Sequence, residues 1–298
     1  MEKDQAQVND LKQIKHRIDE IAERIVNSGP RVVYVAGASC SGKSTITRLL
    51  AASLRQLGHT PRVITLDNYF LNPDQRPLDE NGNIDFESFY GLDLKLLDDN
   101  INALLNGEKA EIPLYSFNKC HREEHGTTMQ IAPNDILMLE GIHALNPELT
   151  PNIPKEQKFR IFVTARNFHD PDDPTILQPY DHRLLRRIVR DNIERGSDAL
   201  MTLQWWPGVR RGEQQWILPF RKYADEIINT ALPFEMPMIR DFAIDLLHQV
   251  TEDHPKEYAE AQRLIGFLQP QESMSIDRVD DETPLKQLFT KRGIKPSK

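Results

Sequence analysis

An eight-residue stretch, Gly37-Ala-Ser-Cys-Ser-Gly-Lys-Ser44, constrains this chain more than any other. Glycine, four free positions, glycine, lysine and serine is the spacing of a phosphate-binding loop, and its flanks agree with it. Arg31-Val-Val-Tyr-Val-Ala36 is a short β-branched run that predicts a buried strand, and Thr45 to Arg55 carries Ile46, Leu49, Leu50 and Leu54 at helical spacing. Backbone N–H groups and a helix N-terminus converge on an anion only in the order strand, loop, helix. Residues 37–45 (Gly37, Ala38, Ser39, Cys40, Ser41, Gly42, Lys43, Ser44, Thr45) are therefore expected to cradle a nucleotide polyphosphate. Lys43 would reach the outer phosphates and Ser44 would ligate Mg²⁺.

The rest of the chain follows an α/β pattern. Strands are expected at Arg62–Leu66, Asp135–Glu140, Lys158–Ala165 and Asp225–Ala231, and a helix at Asp93–Leu105 closed by Asn106-Gly107. Two strands end on acids. Asp67 follows the second and Glu140 closes the third, and ligands of open α/β sheets bind beyond strand carboxyl ends. Asp67 is placed to accept a hydroxyl proton, and Glu140 to order Mg²⁺. Residues 67–132 form a long insertion between core strands, a natural place for a second substrate. In Asp181–Asp191, Arg183, Arg186, Arg187 and Arg190 share one helical face, suited either to clamping phosphate or to salt bridges with Asp181, Asp191 and Glu194. Trp205 and Trp206 are expected to be packing anchors.

Outside this frame, Val8, Leu11, Ile14, Ile18, Ile21 and Ile25 stripe a helix over residues 5–27, which can pack on the chain's own core or form a seam in a homo-oligomer. Two amphipathic helices are expected over Phe242–Leu268, and one last short helix around Pro284–Lys291. The expected division is an N-terminal helix (1–29), a P-loop domain (30–234, with an insertion at 67–132 and a lid region at 181–212) and a helical extension (235–298).

The net charge of −8 argues against general nucleic-acid or anionic-membrane binding. No run of about 18 apolar residues is present. The N-terminus lacks a secretory pattern, and the two cysteines, Cys40 and Cys120, are expected to be free thiols. These features favour a cytoplasmic location.

In this order and spacing, Gly37–Thr45, Asp67-Asn-Tyr-Phe70, Glu111-Ile-Pro-Leu-Tyr-Ser-Phe117, Leu139-Glu-Gly-Ile142, Arg183–Asp191 and Arg221-Lys-Tyr-Ala-Asp225 resemble the uridine kinase and phosphoribulokinase family of P-loop kinases. The resemblance implies a three-layer P-loop NTPase fold with a mostly parallel five-stranded sheet, an inserted substrate region and helical extensions at both ends. It implies ATP as donor, Mg²⁺ as cofactor, and transfer to the 5′-hydroxyl of a nucleoside, uridine or cytidine first. Asp67 matches the general base, Lys43 and Ser44 the phosphate and metal contacts, Glu140 the metal-side acid, and Arg183, Arg186 and Arg187 the lid. Acceptor contacts would come from Tyr69, Glu87, Tyr115, His121 and Arg122.

The family's ribose-gripping aspartate is replaced by Glu87 in Phe86-Glu-Ser-Phe89, its base-contacting histidine by Cys120, and its Glu-Pro-Thr run by Leu218-Pro-Phe220. Another small alcohol of the sugar-phosphate or pantothenate class is the alternative acceptor. A non-catalytic nucleotide-binding regulator is the alternative outside enzymes. A GTPase is disfavoured because Asn118-Lys-Cys-His121 lacks the guanine-reading Asp.

Overall fold

The computed structural model describes residues 2–80, 82–117, 119–165, 180–278, 286 and 289. Five strands make the central sheet: β1 (Val32–Ala36), β2 (Thr60–Thr65), β7 (Asp135–Glu140), β8 (Lys158–Thr164) and β9 (Glu226–Asn229). Their order is β2-β7-β1-β8-β9, and every neighbouring pair is parallel. Strands β1 and β7 are buried along their whole length, which is why both read as unbroken apolar runs and not as alternating ones. A parallel sheet sends all its carboxyl ends to one side. Register does the rest: Glu140 lies beside Val35 of β1 and Thr65 of β2, so Gly37, Asp67 and Glu140 emerge together.

One face of the sheet is covered by α1 (Glu2–Ser28) and α2 (Lys43–Gln56). The described part of the α1 stripe packs on the chain's own core. Ile18, Ile21 and Ile25 are fully buried with Ile46, Leu50 and Leu54 of α2 and with Val33 and Val35 of β1. Each such side chain contributes about 1.5–3 kcal/mol of burial. Asp19 accepts a hydrogen bond from Ser53 at 2.6 Å, and Arg17 pairs with Glu226 of β9 at 2.7 Å.

The opposite face is covered by the insertion. Its helix α3 (Leu94–Leu105) buries Leu97, Ile101 and Leu104 against Tyr34, Leu137 and Leu139. Two antiparallel ribbons follow, β3 (Ala110–Ile112) with β6 (Thr127–Met129) and β4 (Tyr115–Ser116) with β5 (His121–Arg122).

A third apolar cluster joins α4 (Asp181–Arg190), α5 (Ala199–Trp216), α6 (Glu235–Leu247) and α7 (Pro255–Leu268). The sequence did not predict α5, because Pro207 and Gly208 look like breakers and yet lie inside it. Trp206 packs on this cluster, but Trp205 is 49% exposed and lines the cleft described below, so only one of the pair anchors packing. Of the short helix expected around Pro284–Lys291, only Lys286 and Phe289 lie among the described residues; Phe289 is fully buried, edge-on to Phe242. No helix among the described residues is long and apolar enough to cross a membrane.

Candidate active site

The carboxyl ends of the strands open into a cleft of about 2140 Å³. Ordinary small-molecule sites run to about 300–1,000 Å³, so this one has room for two ligands side by side. The phosphate loop forms one end. A side chain at Gly37 would place its Cβ 2.1 Å from the carbonyl oxygen of Val163, so only glycine lets the loop pass this close to β8. Gly42 has φ +89° and caps α2, and Cys40 holds a left-handed φ of +58° despite its side chain, a strain of about 1–3 kcal/mol. Thr230, just past β9, buttresses the turn by donating from Oγ1 to the carbonyl of Ser41 at 2.6 Å. Lys43 donates to the carbonyl of Ala38 at 3.4 Å, which folds its amine back over the loop.

Ser39, Cys40, Gly42, Lys43, Ser44 and Thr45 line the cleft, as do Asp67 and Glu140. Ser44 Oγ donates to Glu140 at 3.4 Å. Burial pushes the Glu140 carboxyl up to about 7; Lys43 and the Ser44 hydroxyl pull it down, and Asp67 adds to the push. Among the described residues no group of three His, Cys, Asp or Glu side chains could hold a metal unaided. One hydroxyl and one carboxylate do fit Mg²⁺, which keeps several waters and takes its remaining oxygens from substrate phosphates.

Asp67 opens a short 3₁₀ turn (Leu66–Tyr69) after β2. Its carboxyl is raised chiefly by burial and drawn back by Lys43, Arg195, Arg190 and Arg76, so it sits in a strongly cationic field. The same turn points Tyr69 the other way. Tyr69 is fully buried, and its hydroxyl accepts from Asn100 at 3.1 Å, so it lies in the core and outside the cleft lining. Arg122 is also drawn inward, to Asp93 at 3.1 Å and to the carbonyls of Tyr69 and Phe70, and His121 is exposed beside it. Neither of them lines the cleft, whereas Glu87 and Tyr115 do.

Sequence reasoning missed Arg76. It is nearly buried, donates to the carbonyl of Leu71 and to Tyr115 Oη at 2.8 Å each, and packs on the rings of Phe70, Phe86 and Tyr115. Its signal was present, a lone arginine in a loop seven residues from Asn83 and nine from Asp67, but nothing local marks where it points.

Glu87 is raised by burial, with Arg187 and Lys43 opposing and Asp67 and Asp85 reinforcing the shift. His143 carries no such chemistry. It is enclosed edge-on to Phe89, and burial pushes it down to about 4, a neutral core ring.

The four arginines of α4 all meet carboxylates, and Arg183, Arg186 and Arg187 also touch the phosphate loop. Arg183 pairs with Glu213 of α5 at 2.5 Å and donates to the carbonyl of Ser39 at 3.2 Å. Arg186 pairs with Glu235 and donates to the carbonyl of Cys40 at 3.2 Å. Arg187 donates to Asp191 and to Ser39 Oγ, each at 3.1 Å, and Arg190 donates to Asp191 at 2.6 Å. Arg195 joins them at 3.4 Å from Asp191, carried there by a π-helical turn (Asp191–Arg195) that sequence spacing alone does not disclose. Of the three acids expected to pair with this face, Asp191 does so in the ion pairs above; Asp181 is buried and holds Arg263 of α7 at 2.7 and 2.8 Å.

A strand–loop–helix phosphate cradle, acids at two neighbouring strand ends and an arginine helix over the loop define a P-loop kinase fold. The particular lineage follows from comparison with known proteins. The family model described as Phosphoribulokinase / Uridine kinase family matches residues 32–234, and the chain belongs to that family. It is 31% identical over 198 residues to a uridine kinase of Macrococcus caseolyticus (strain JCSC5402), covering 66% of this chain and 86% of that protein. It is 30% identical over 219 residues to a uridine kinase of Lactobacillus johnsonii, covering 73% and 92%. The solved structure of a possible uridine kinase from Bacillus stearothermophilus superposes with a TM-score of 0.48 at 18% identity, over 73% of this chain and all of that one.

Proposed function

We propose that this chain is an ATP-dependent kinase that transfers the γ-phosphoryl group to the 5′-hydroxyl of a nucleoside. The observation that carries this reading is the shared cleft: the phosphate loop with Lys43 and Ser44, and Asp67 two strands over in the sheet, face a single space with room for donor and acceptor. In this reading the loop amides and Lys43 bind the triphosphate, and Ser44 and Glu140 hold Mg²⁺, which would neutralise charge on the phosphates. Asp67 takes the proton of the acceptor hydroxyl as its oxygen bonds to the γ-phosphorus, while the bond from that phosphorus to the β,γ-bridging oxygen breaks and ADP leaves. Arg187, Arg190 and Arg195 stabilise the charge spread over the transferring oxygens. Residues 30–234 form the catalytic unit, within which 67–132 receive the acceptor and 181–212 cover the phosphates.

Glu87, Tyr115 and Arg76 are the acceptor contacts this geometry favours; Tyr69 and Arg122 act behind them by shaping the insertion. A panel of nucleosides, with sugar phosphates and pantothenate alongside, tests the assignment through ADP release. Stimulation by a nucleoside and by none of the others is the expected result; stimulation by another alcohol alone overturns the nucleoside reading.

Gly212 bears on the same end of the cleft. A methyl group there would fall 2.2 Å from Glu87 Cβ, so the glycine sets how closely α5 approaches the acceptor wall. Gly212→Ala is expected to raise the acceptor KM by up to about 10²-fold, because a shift of about 1 Å in a positioning group costs that much. The KM for ATP should stay within about twofold, since the phosphate loop is untouched. Steady-state kinetics against each substrate separates the two, and an equal rise in both would remove Glu87 from the acceptor site.

A further inference from the structure

The residue immediately past the family match, Glu235, is fully buried at the start of α6. Its Oε2 takes a hydrogen bond from His182 Nε2 at 2.6 Å and is the acceptor for Arg186 Nε at 3.1 Å and Arg186 Nη2. The same guanidinium donates to the carbonyl of Thr230 at 2.7 Å, to Thr230 Oγ1 at 3.2 Å and to the carbonyl of Cys40 at 3.2 Å. Thr230 in turn holds the carbonyl of Ser41. A continuous chain of bonds therefore runs from α6 through one arginine to the strained turn of the phosphate loop.

The arginine helix is fixed by more than this chain. Every residue from Asp181 to Val189 is buried, with Leu184, Leu185, Ile188 and Val189 packed into the cluster that α6 and α7 complete. At its N-terminus Arg263 of α7 grips Asp181 through two nitrogens. A helix so enclosed does not swing in as a free flap; its arginines are presented already in place. Preorganised charge costs no rearrangement at the moment of reaction.

We infer that Glu235 is a positioning residue for nucleotide binding: it holds Arg186 against the carbonyl of Cys40, and so makes α6, outside the family-matched segment, part of the donor site. The inference concerns the donor end only, so it rests on the kinase reading for its ATP and not for its acceptor. It is tested by equilibrium titration of the full-length chain with a fluorescent ATP analogue and Mg²⁺, without any acceptor.

Glu235→Gln keeps the shape and removes the charge. It is expected to weaken nucleotide binding about tenfold, inside the range of coupling between directly contacting groups. In an Arg186→Met background the same change should add less than about twofold, because the residue it acts through is gone. Additive losses in the two backgrounds, or unchanged affinity in the single variant, overturn the proposal. If Glu235→Gln fails to fold, Arg186→Met with Glu235→Met replaces the ion pair by apolar groups, which buried sites tolerate. Equal affinity of that double variant and Arg186→Met alone supports the inference, and a further loss overturns it. Failure of every nucleoside in the acceptor panel would leave these binding results intact, so the two readings fail separately.

Discussion

Asp67→Asn is expected to lower the rate of phosphoryl transfer by about 10²–10⁴-fold while nucleotide binding persists. The substitution is close to isosteric, so the 3₁₀ turn that carries residue 67 keeps its geometry. Residues 37–45, the proposed phosphate contacts, are not touched. What is lost is the acceptor for a proton. Asp67 stands two strands from the phosphate loop, with β7 between, and two residues past Thr65, whose register partner is Glu140. Burial favours its protonated form and outweighs Lys43, Arg195, Arg190 and Arg76, which favour the carboxylate, so the carboxyl is raised and is a stronger base than a free one. Asparagine also removes a negative charge from a site that must receive a polyphosphate, so nucleotide affinity should be equal or tighter. Single-turnover transfer and an equilibrium titration together make the test. A variant that transfers at a near-normal rate would exclude Asp67 as the base, and one that loses nucleotide binding would make it structural.

Asp67 was legible in the sequence for the same reason that Glu140 and the phosphate loop were. Each follows a strand whose apolar run is visible locally, and a parallel sheet brings such ends together whatever lies between them. The five strands, α2, α3 and the α1 stripe were legible on the same footing, with ends displaced by up to three residues. Side-chain direction within the insertion was not. Tyr69 lies two residues from Asp67, yet the 3₁₀ turn sends one into the cleft and the other to Asn100. Arg122 satisfies the carbonyls of that same turn, and Arg76, whose direction nothing local marks, lines the cleft. The partners of the arginine face were equally hidden. Glu213, Glu235 and Thr230 stand 30, 49 and 44 residues from the arginines they hold, and only tertiary packing selects them over Asp181. Helix α5 was missed because Pro207 and Gly208 argue against a helix locally, and the packing of Ala199, Leu203 and Val209 overrides them.

The ion pairs divide the arginines into two groups, and the second prediction follows from that division. Arg183 and Arg186 each have a buried carboxylate, Glu213 and Glu235, and each donates to a loop carbonyl. On this division their charge would go to the shape of the loop, although Arg186 also lines the cleft. Arg187, Arg190 and Arg195 share Asp191 alone among the ion pairs described here, and they hold its carboxyl below the usual range against the upward push of burial. Three guanidiniums on one carboxylate leave a surplus of positive charge lining the cleft. Arg187→Ala should therefore lower kcat by about 10²–10³-fold, the scale for removing one donor from developing transition-state charge. Its melting temperature should change little, because Asp191 keeps two arginines. Arg183→Ala should do the reverse. Breaking a buried pair costs about 3–5 kcal/mol when the partner is left alone, and Glu213 retains Arg210, so a loss of about 2 kcal/mol is expected. The folded fraction of that variant should turn over within about tenfold of the parent, since no lost donor faced the transferring phosphoryl group. Thermal unfolding and kcat measured on both variants decide the matter: the same fall in kcat for each would mean that Arg183, too, reaches the phosphates.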